Sequence, residues 1–174
     1  MKKFELTSET KINIFGKKLF RIKALISFAD VEAGETGGWV EKEGNVNQSG
    51  NAWVYGDAEV FGNARVSGNA RVFGNAEVYG DAEVSGNARV FGDARVFGNA
   101  WVFGDADYTT IHGFGTQFRT TTFFRCKDKK VRVACGCFFG TIPEFREQVK
   151  NTRKGKIAEE YLMIADLMEN HFEK

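Results

Sequence analysis

Proline, cysteine, histidine and an excess of charge of either sign are all scarce in this sequence of 174 residues. It contains one proline, three cysteines and two histidines, and 24 basic side chains nearly balance 23 acidic ones, for a formal charge of +1. This balance excludes a global electrostatic field that would attract a nucleic acid polymer or an anionic membrane. The three cysteines all lie within residues 126–137, and an odd set confined to one segment argues against a disulfide framework.

Long apolar runs are absent as well. No stretch is long enough to span a bilayer, and we expect no signal peptide, because no segment combines a charged start, an apolar middle and a small-residue cleavage site. Because the cysteines read as reduced thiols, we expect a cytoplasmic protein without a membrane partner.

A six-residue repeat is what the sequence has in abundance. From Gly50 to Phe103 the pattern Gly-(Asn/Asp)-Ala-x-Val-x recurs nine times without interruption, and a tenth copy begins at Gly104. Alanine and valine stand two residues apart, so both point to one side of a short strand. Glycine and Asn/Asp tolerate the left-handed backbone of a corner. A fixed short period predicts a solenoid in which each unit buries its apolar side against its neighbours.

These residues resemble the hexapeptide-repeat, left-handed β-helix family, which includes trimeric acyltransferases and the γ-class carbonic anhydrases. Valine holds the aliphatic position from Val54 to Val102, and alanine holds the small position from Ala52 to Ala100. The segment from Phe28 to Gly34, followed by Gly37-Gly38-Trp39-Val40, resembles the opening of a bacterial, often phage-borne branch of that family. The resemblance implies a mainly β protein, a left-handed parallel β-helix of about four coils.

We expect three parts along the chain. Residues 1–37 predict an N-terminal β-hairpin cap, because two alternating segments flank Gly16-Lys17-Lys18. Residues 38–109 predict the parallel β-helix of hexapeptide repeats. Residues 110–174 predict a small C-terminal α+β module with a β-hairpin and two helices.

The C-terminal module is predicted from three local patterns. Residues 120–126 and 131–137 read as two strands of a hairpin. The capping box Thr141-Ile142-Pro143-Glu144 begins the first helix. An apolar stripe from Ile157 to Phe172 predicts the second helix.

Aromatic side chains line two of the three faces of the predicted solenoid. Three repeats make one coil in the family fold, so side chains eighteen residues apart stack on one face. One face then carries Tyr55, Phe73 and Phe91, the second carries Phe61, Tyr79 and Phe97, and the third is mostly serine. Exposed apolar ladders of this size indicate an interface. Homo-oligomers usually have closed symmetry, and members of the resembled family are commonly trimers. We therefore expect a homotrimer.

The C-terminal hairpin contains the principal candidate site. A turn at Asp128-Lys129 would pair Cys126 with Val131 and Phe124 with Val133. In that register one face gathers arginines, threonines and an aromatic ring beside a glycine-rich loop, which are groups that hold phosphate and stack on a base. We expect a site for a small anionic, nucleotide-like ligand between subunits, formed by Gly113, Gly115, Thr116, Arg119, Thr121, Phe123, Arg125 and Arg132. A solvated hairpin face is the alternative.

A second candidate site lies on the solenoid itself. On one face of the solenoid, arginine and aromatic side chains alternate in a ladder formed by Arg71, Phe73, Arg89 and Phe91. This ladder could hold a ligand in the groove between the solenoids of two subunits. Packing within the trimer, with arginine stems over aromatic rings, explains the same ladder.

The cysteines are interpreted as structural. The predicted register places Cys126, Cys135 and Cys137 on the apolar side of the hairpin, where cysteine acts as a small hydrophobic residue. A structural zinc site usually takes four ligands from turn-like spacings. We therefore expect no metal.

Catalysis is not expected from these residues. The resembled carbonic anhydrases bind their metal through three histidines, and this chain has only His112 and His171. The resembled acyltransferases typically use a histidine base, and the repeats here contain none. His112 acting as general base of an acetyl-CoA-dependent acyltransferase is the enzymatic alternative; an ordinary polar loop residue is the simpler reading.

The sequence thus favours a non-enzymatic, trimeric binding protein without a cofactor, which captures a small anionic, nucleotide-like ligand. The resemblance to the phage-borne branch implies a sequestering protein. Two alternatives remain, an acyltransferase that uses acetyl-CoA and a structural scaffold for protein interactions.

Overall fold

The hexapeptide repeats form a parallel β-solenoid, which confirms the predicted fold class. The computed structural model describes residues 1–173, and the chain separates into two compact units, Met1–Asp105 and Ala106–Lys174. The strands of the first unit are β1 (Phe4–Ile12), β2 (Lys18–Ala24), β3 (Thr36–Val40), β4 (Trp53–Val54), β5 (Glu59–Val60), β6 (Arg65–Val66), β7 (Arg71–Val72), β8 (Glu77–Val78), β9 (Glu83–Val84), β10 (Arg89–Val90), β11 (Arg95–Val96) and β12 (Trp101–Val102). A short 3-10 helix spans Glu43–Asn45.

Each face of the solenoid is one parallel sheet. The strand orders are β3-β5-β8-β11, β4-β7-β10 and β6-β9-β12, so every strand pairs with the strand three repeats further on. In the second sheet Val54 aligns with Val72, and Val72 with Val90. The eighteen-residue stacking expected from the sequence is therefore confirmed.

Alanine and valine of the repeats fill the interior. From Ala52 to Ala100 and from Val54 to Val102, each of these side chains is at most 1 % exposed. Burying one valine contributes about 2 kcal/mol relative to leaving it in water. Small alanine alternates with branched valine along this interior, and both side chains are buried at every turn.

Polar ladders run along the corners outside this core. Asn51 Nδ2 donates to Asn69 Oδ1 at 3.0 Å, and Asn69 Nδ2 donates to Asn87 Oδ1 at 3.0 Å. The glycines before these asparagines have positive φ, as do those at the other corners; at one of these, a Cβ atom on Gly74 would lie 2.9 Å from the backbone nitrogen of Gly92. The corner therefore requires glycine for its backbone conformation and for the close approach of successive coils.

The N-terminal hairpin that the sequence predicts is present, and it continues one sheet of the solenoid. β1 and β2 pair antiparallel around a turn closed by a hydrogen bond from Asn13 N to Lys17 O, and β2 pairs antiparallel with β3. Lys3, which is 2 % exposed, donates from Nζ to the carbonyl oxygen of Ala52 at 2.8 Å in the first complete coil.

The two aromatic ladders differ in their surroundings. Phe61, Tyr79 and Phe97 stack with ring centroids 4.9 and 4.8 Å apart. Phe15 of the hairpin packs on Phe61 and Tyr79 at 5.4 and 5.2 Å, and Phe61 is only 4 % exposed. The expectation of two exposed ladders is therefore wrong for this face, because the N-terminal hairpin of the same chain covers Phe61 and Tyr79.

The C-terminal unit is a four-stranded antiparallel sheet with two helices. Its elements are β13 (Tyr108–Phe114), β14 (Arg119–Arg125), β15 (Val131–Cys135), β16 (Phe138–Thr141), α1 (Ile142–Thr152) and α2 (Gly155–Phe172), after a 3-10 helix at Asp105–Asp107. The central hairpin and both helices were predicted; β13 and β16 were not. Phe123 and Val133 of the sheet pack with Phe145, Tyr161 and Ile164 of the helices in one core.

The start of α1 follows its sequence signal. The Thr141 side chain accepts a hydrogen bond from the Glu144 backbone N–H, and the Glu144 carboxylate accepts one from the Thr141 backbone N–H at 2.7 Å. This reciprocal capping box was predicted from the sequence and is confirmed.

Candidate anion-binding cleft

The pairing of β14 with β15 differs by one residue from the predicted register. Arg125 pairs with Val131, because a three-residue loop closes the hairpin between Cys126 and Lys130. Lys129 in this loop has a φ of 63°, the left-handed conformation common in such loops. A shift of one residue moves side chains of the partner strand to the opposite face. Arg132 therefore lies opposite Phe124 and not beside Arg125.

This register buries two residues of the predicted site. Phe123 is fully buried in the core of the C-terminal unit, and Thr121 is 2 % exposed. The Thr121 hydroxyl donates to Cys135 Sγ at 3.1 Å. The expectation that Phe123 offers a surface for a ligand base is therefore wrong, since its ring faces the helices.

The outer arginines of the predicted site have partners within the unit. Arg125 Nη2 donates to the carbonyl oxygen of Phe172 at 2.6 Å, and Arg125 Nε lies 3.3 Å from Asp107 Oδ1. Arg132 Nη2 donates to Asp128 Oδ2 at 2.7 Å. The structure therefore does not bring Arg125 and Arg132 together as an open pair.

A small cleft in the C-terminal unit brings together three other predicted residues, Gly115, Thr116 and Arg119. Its volume is about 90 Å³, room for roughly three water molecules at about 30 Å³ each, or for one phosphate-sized group. Gly113 is outside the cleft, at the irregularity where β13 pairs with β14. The polar residues that complete the lining are Gln117, Cys135, Cys137, Gln148, Thr152, Arg153 and Tyr161.

Tyr161 contacts the glycine-rich loop between β13 and β14. Its hydroxyl donates to the carbonyl oxygen of Phe114 at 3.1 Å. A Cβ atom on Gly115, whose φ is 72°, would lie 2.5 Å from the Tyr161 hydroxyl oxygen, so the loop can approach the ring only with glycine there. Burial raises the pKa of Tyr161, which keeps its hydroxyl a neutral donor at physiological pH.

Positive charge dominates the cleft. Its described lining includes Arg119 and Arg153 and no carboxylate. Within residues 1–173 neither guanidinium takes part in an ion pair; Arg153 Nη1 donates to the Thr152 carbonyl oxygen at 3.3 Å. Both side chains are exposed. Two arginine forks without a counter-charge are suited to bidentate contacts with phosphate or carboxylate.

Sequence reasoning missed Arg153 and Tyr161. Arg153 follows the last residue of α1 and reads as part of a solvated basic connector, while Tyr161 reads as one member of the apolar stripe of α2. Neither pattern predicts a cleft, because the residues that line it are brought together only when the helices pack against the β13–β14 loop.

The cysteines have three different environments. Cys126 is 3 % exposed, which confirms its predicted burial, and desolvation raises its pKa to about 11. Cys135 is partly buried and Cys137 is exposed. The prediction that all three thiols are buried is therefore wrong for Cys137, which occupies the turn after β15.

The second candidate site is partly neutralised within the solenoid unit. Arg71 Nη2 lies 2.8 Å from Asp30 Oδ1. Phe73 and Phe91 stack with centroids 5.2 Å apart, and Phe91 is 48 % exposed. The Arg89 side chain is exposed on the same face.

His112 lies on β13 with a hydroxyl as its partner. His112 Nδ1 is 2.9 Å from Thr120 Oγ1, and the ring is exposed. Among residues 1–173, no three His, Cys, Asp or Glu side chains are close enough to hold a metal ion. No helix in the same part of the chain is long and apolar enough to cross a membrane.

Fold and cleft together define a β-solenoid protein with an appended α+β unit that carries a cationic cleft. A family model described as YdcK Beta solenoid repeat matches residues 64–80, so this part of the chain is similar to that repeat. A comparison with curated proteins finds no match.

Proposed function

We propose that the protein binds a small anionic ligand with a phosphate-like group in the cleft of its C-terminal unit, without converting it. The observation that carries this proposal is the pair of arginines, Arg119 and Arg153, in a cleft whose described lining contains no carboxylate. Charge-assisted hydrogen bonds to an anion are about twice as strong as neutral ones. The cleft is formed by residues of one chain, so binding does not require a neighbouring subunit.

The glycine-rich loop adds neutral donors to the same site. Gly115 and Thr116 line the cleft, and the Thr116 side chain is exposed. Backbone N–H groups in a left-handed turn make a concave surface that favours anions. Hydroxyl, amide and guanidinium donors together match the oxygen atoms of a phosphate group.

A nucleotide-like ligand is favoured by the aromatic ring next to this loop. Phe118 directly precedes Arg119 in the chain, is 66 % exposed and is not itself among the residues that line the cleft. An exposed ring beside a phosphate site offers a stacking surface for a base. Phe118 therefore takes the role that the sequence assigned to Phe123.

Calorimetric titration of the full chain with inorganic phosphate and a panel of nucleotides tests this proposal. Arg119→Gln and Arg153→Gln should each weaken binding about tenfold or more, because each removes hydrogen bonds to a charged group. Lys156→Gln is the matched control, since its side chain is 87 % exposed on α2 outside the cleft. Failure of every probe to bind, or equal binding by all three variants, would overturn the proposal.

The base contact has its own test. Phe118→Ala should weaken nucleotide binding and leave the affinity for inorganic phosphate unchanged. If both affinities change equally, Phe118 shapes the loop instead of stacking on a base.

We further propose that three copies associate through the solenoid. The Phe73–Phe91 ladder supports this, since Phe91 is 48 % exposed and large exposed apolar surfaces usually mark interfaces. Sedimentation should give the mass of a trimer, which Phe91→Glu dissociates and Ser67→Glu, on another face, does not. A monomer for the unmodified chain at micromolar concentration would refute this part.

A binding protein without turnover suits a sequestering role. The resemblance of residues 28–40 to the phage-borne branch supports capture of a host signalling molecule. Nucleotide that remains bound to protein purified from cells would support sequestration, and native mass spectrometry would detect it.

A further inference from the structure

Two thiols flank one glycine at the edge of the cleft. Cys135 ends β15 and pairs with Phe138, so Gly136 and Cys137 form a two-residue turn between β15 and β16. Both cysteines line the cleft; Cys135 is partly buried and Cys137 is exposed. Neither thiol is needed for the anion contacts described above.

The sulfur of Cys135 accepts a hydrogen bond from a buried residue. Thr121 is 2 % exposed, and its hydroxyl donates to Cys135 Sγ at 3.1 Å. A buried hydroxyl that donates to sulfur stabilises a thiolate more than a thiol, because the charged acceptor forms the stronger hydrogen bond. Cys135 also packs against the apolar core of the C-terminal unit, so the Thr121 hydroxyl gives its sulfur a polar contact at the edge of that core.

Positive charge lies next to the same turn. Arg119 packs directly on Gly136, since a Cβ atom there would overlap the Arg119 Nη1 atom. Gly136 has a φ of 59°, so the backbone conformation of this turn favours glycine. Arg153 lines the same cleft. Reactive cysteines are typically found in such electropositive, partly exposed surroundings.

We propose that Cys135 and Cys137 form a dithiol that a hydroperoxide oxidises to a disulfide, with Cys135 as the attacking thiol and Cys137 as the resolving thiol. The Cys135 thiolate attacks one peroxide oxygen, so that an S–O bond forms and the O–O bond breaks. The released hydroxide takes up the proton lost by Cys135 and leaves as water. The product on Cys135 is a sulfenic acid.

Cys137 completes the reaction. Its sulfur attacks the Cys135 sulfur, an S–S bond forms, the S–O bond breaks, and the hydroxide leaves as water with the Cys137 proton. Overall two thiols lose two electrons, and one hydrogen peroxide molecule becomes two water molecules. A small-molecule dithiol reverses the oxidation by thiol–disulfide exchange.

Cys126 provides an internal reference. It is 3 % exposed between Arg125 and the loop that closes the β14–β15 hairpin, and desolvation raises its pKa to about 11. A thiol with a raised pKa has little thiolate at neutral pH and reacts slowly. Cys126 should therefore survive treatment that oxidises the other two.

Hydrogen peroxide added to the full chain in phosphate-free buffer tests the proposal by intact mass and peptide mapping. We expect the loss of two hydrogen atoms, a disulfide between Cys135 and Cys137, and reversal by dithiothreitol. Cys137→Ser should stop at a sulfenic acid on Cys135 that dimedone traps. Cys135→Ser should abolish the fast reaction, and Cys126→Ser should leave it unchanged.

The hydroxyl contact allows a graded test. Thr121→Val keeps the side-chain shape and removes the donor, so it should slow formation of the sulfenic acid about tenfold, with thermal unfolding recorded to confirm an intact fold. Dimedone on Cys137 or Cys126 before Cys135, or only intermolecular disulfides, would overturn the proposal. Because no phosphate or nucleotide is present, this result is independent of whether the cleft binds an anion.

Discussion

The ammonium group of Lys3 donates a hydrogen bond of 2.8 Å to the carbonyl oxygen of Ala52. A second, longer contact of 3.3 Å reaches the carbonyl oxygen of Gly50. The first complete coil has no preceding coil to satisfy these acceptors, and unpaired buried carbonyl groups are costly. One lysine side chain from the N-terminal segment thus replaces the backbone donors that an additional coil would provide.

Lys3 should make stability depend on pH above neutrality. Burial lowers its pKa from 10.5 to about 8, so between these values the unfolded chain binds a proton that the folded chain does not. Stability should therefore rise as the pH increases from 8 to 10.5. Lys3→Met should be less stable at neutral pH and should lack this rise. Melting temperatures of both proteins across the interval check the prediction, which parallel curves would contradict.

Gly74 and Gly92 provide a matched pair for the solenoid corner. Both have positive φ, at 71° and 66°, but a Cβ atom meets the backbone of the next coil only at Gly74. Gly92→Ala should cost about 1 kcal/mol from the backbone conformation alone. Gly74→Ala should cost about 1–3 kcal/mol more, because the coils must separate. Urea unfolding measures both, and equal losses would mean that close approach does not matter.

Val72→Asp should unfold the middle of the solenoid. Val72 is fully buried between Val54 and Val90, so the substitution places an unpaired carboxylate in an apolar stack. The expected loss exceeds about 4 kcal/mol. Ser67→Asp, which adds the same charge on the outside, should change the free energy of unfolding by less than about 0.5 kcal/mol. A Val72→Asp protein that melts like the unmodified chain would contradict the assigned core.

Thr141→Ala should weaken the start of α1. The substitution removes the hydroxyl that accepts from the Glu144 backbone N–H, and loss of such a cap costs about 1 kcal/mol. Thr152→Ala, at the other end of the helix, is the control, because its hydroxyl donates to a carbonyl within the last turn. Hydrogen exchange of the first-turn amides of α1 should accelerate in the first variant only.

The solenoid could be predicted from sequence because its constraint is local and repeated. Ala70 and Val72 already define which side of a strand is buried, and their recurrence every eighteen residues defines the stacking. The hairpin register could not be predicted to one residue. Lys129 adopts a left-handed conformation that shortens the loop. The loop contains no glycine or asparagine that would predict this conformation.

The cleft depended on tertiary packing and was only partly predictable. Gly115 and Arg119 were identified because glycine and arginine cluster along one segment. Arg153 follows the end of α1 and Tyr161 lies on α2, and capping and core packing already account for the sequence patterns of both helices. Their contribution arises only when α1 and α2 pack against the sheet, which no local pattern encodes.

The asparagine ladder makes the first unit extensible. Asn51, Asn69 and Asn87 each use the same side-chain hydrogen bond to the residue eighteen positions later or earlier. Duplicating one coil of eighteen residues would extend this ladder and lengthen the prism by about 4.8 Å, the spacing of neighbouring strands. Evolution or design can therefore change the length of this unit in fixed increments, while the hairpin at its start remains attached to an identical edge.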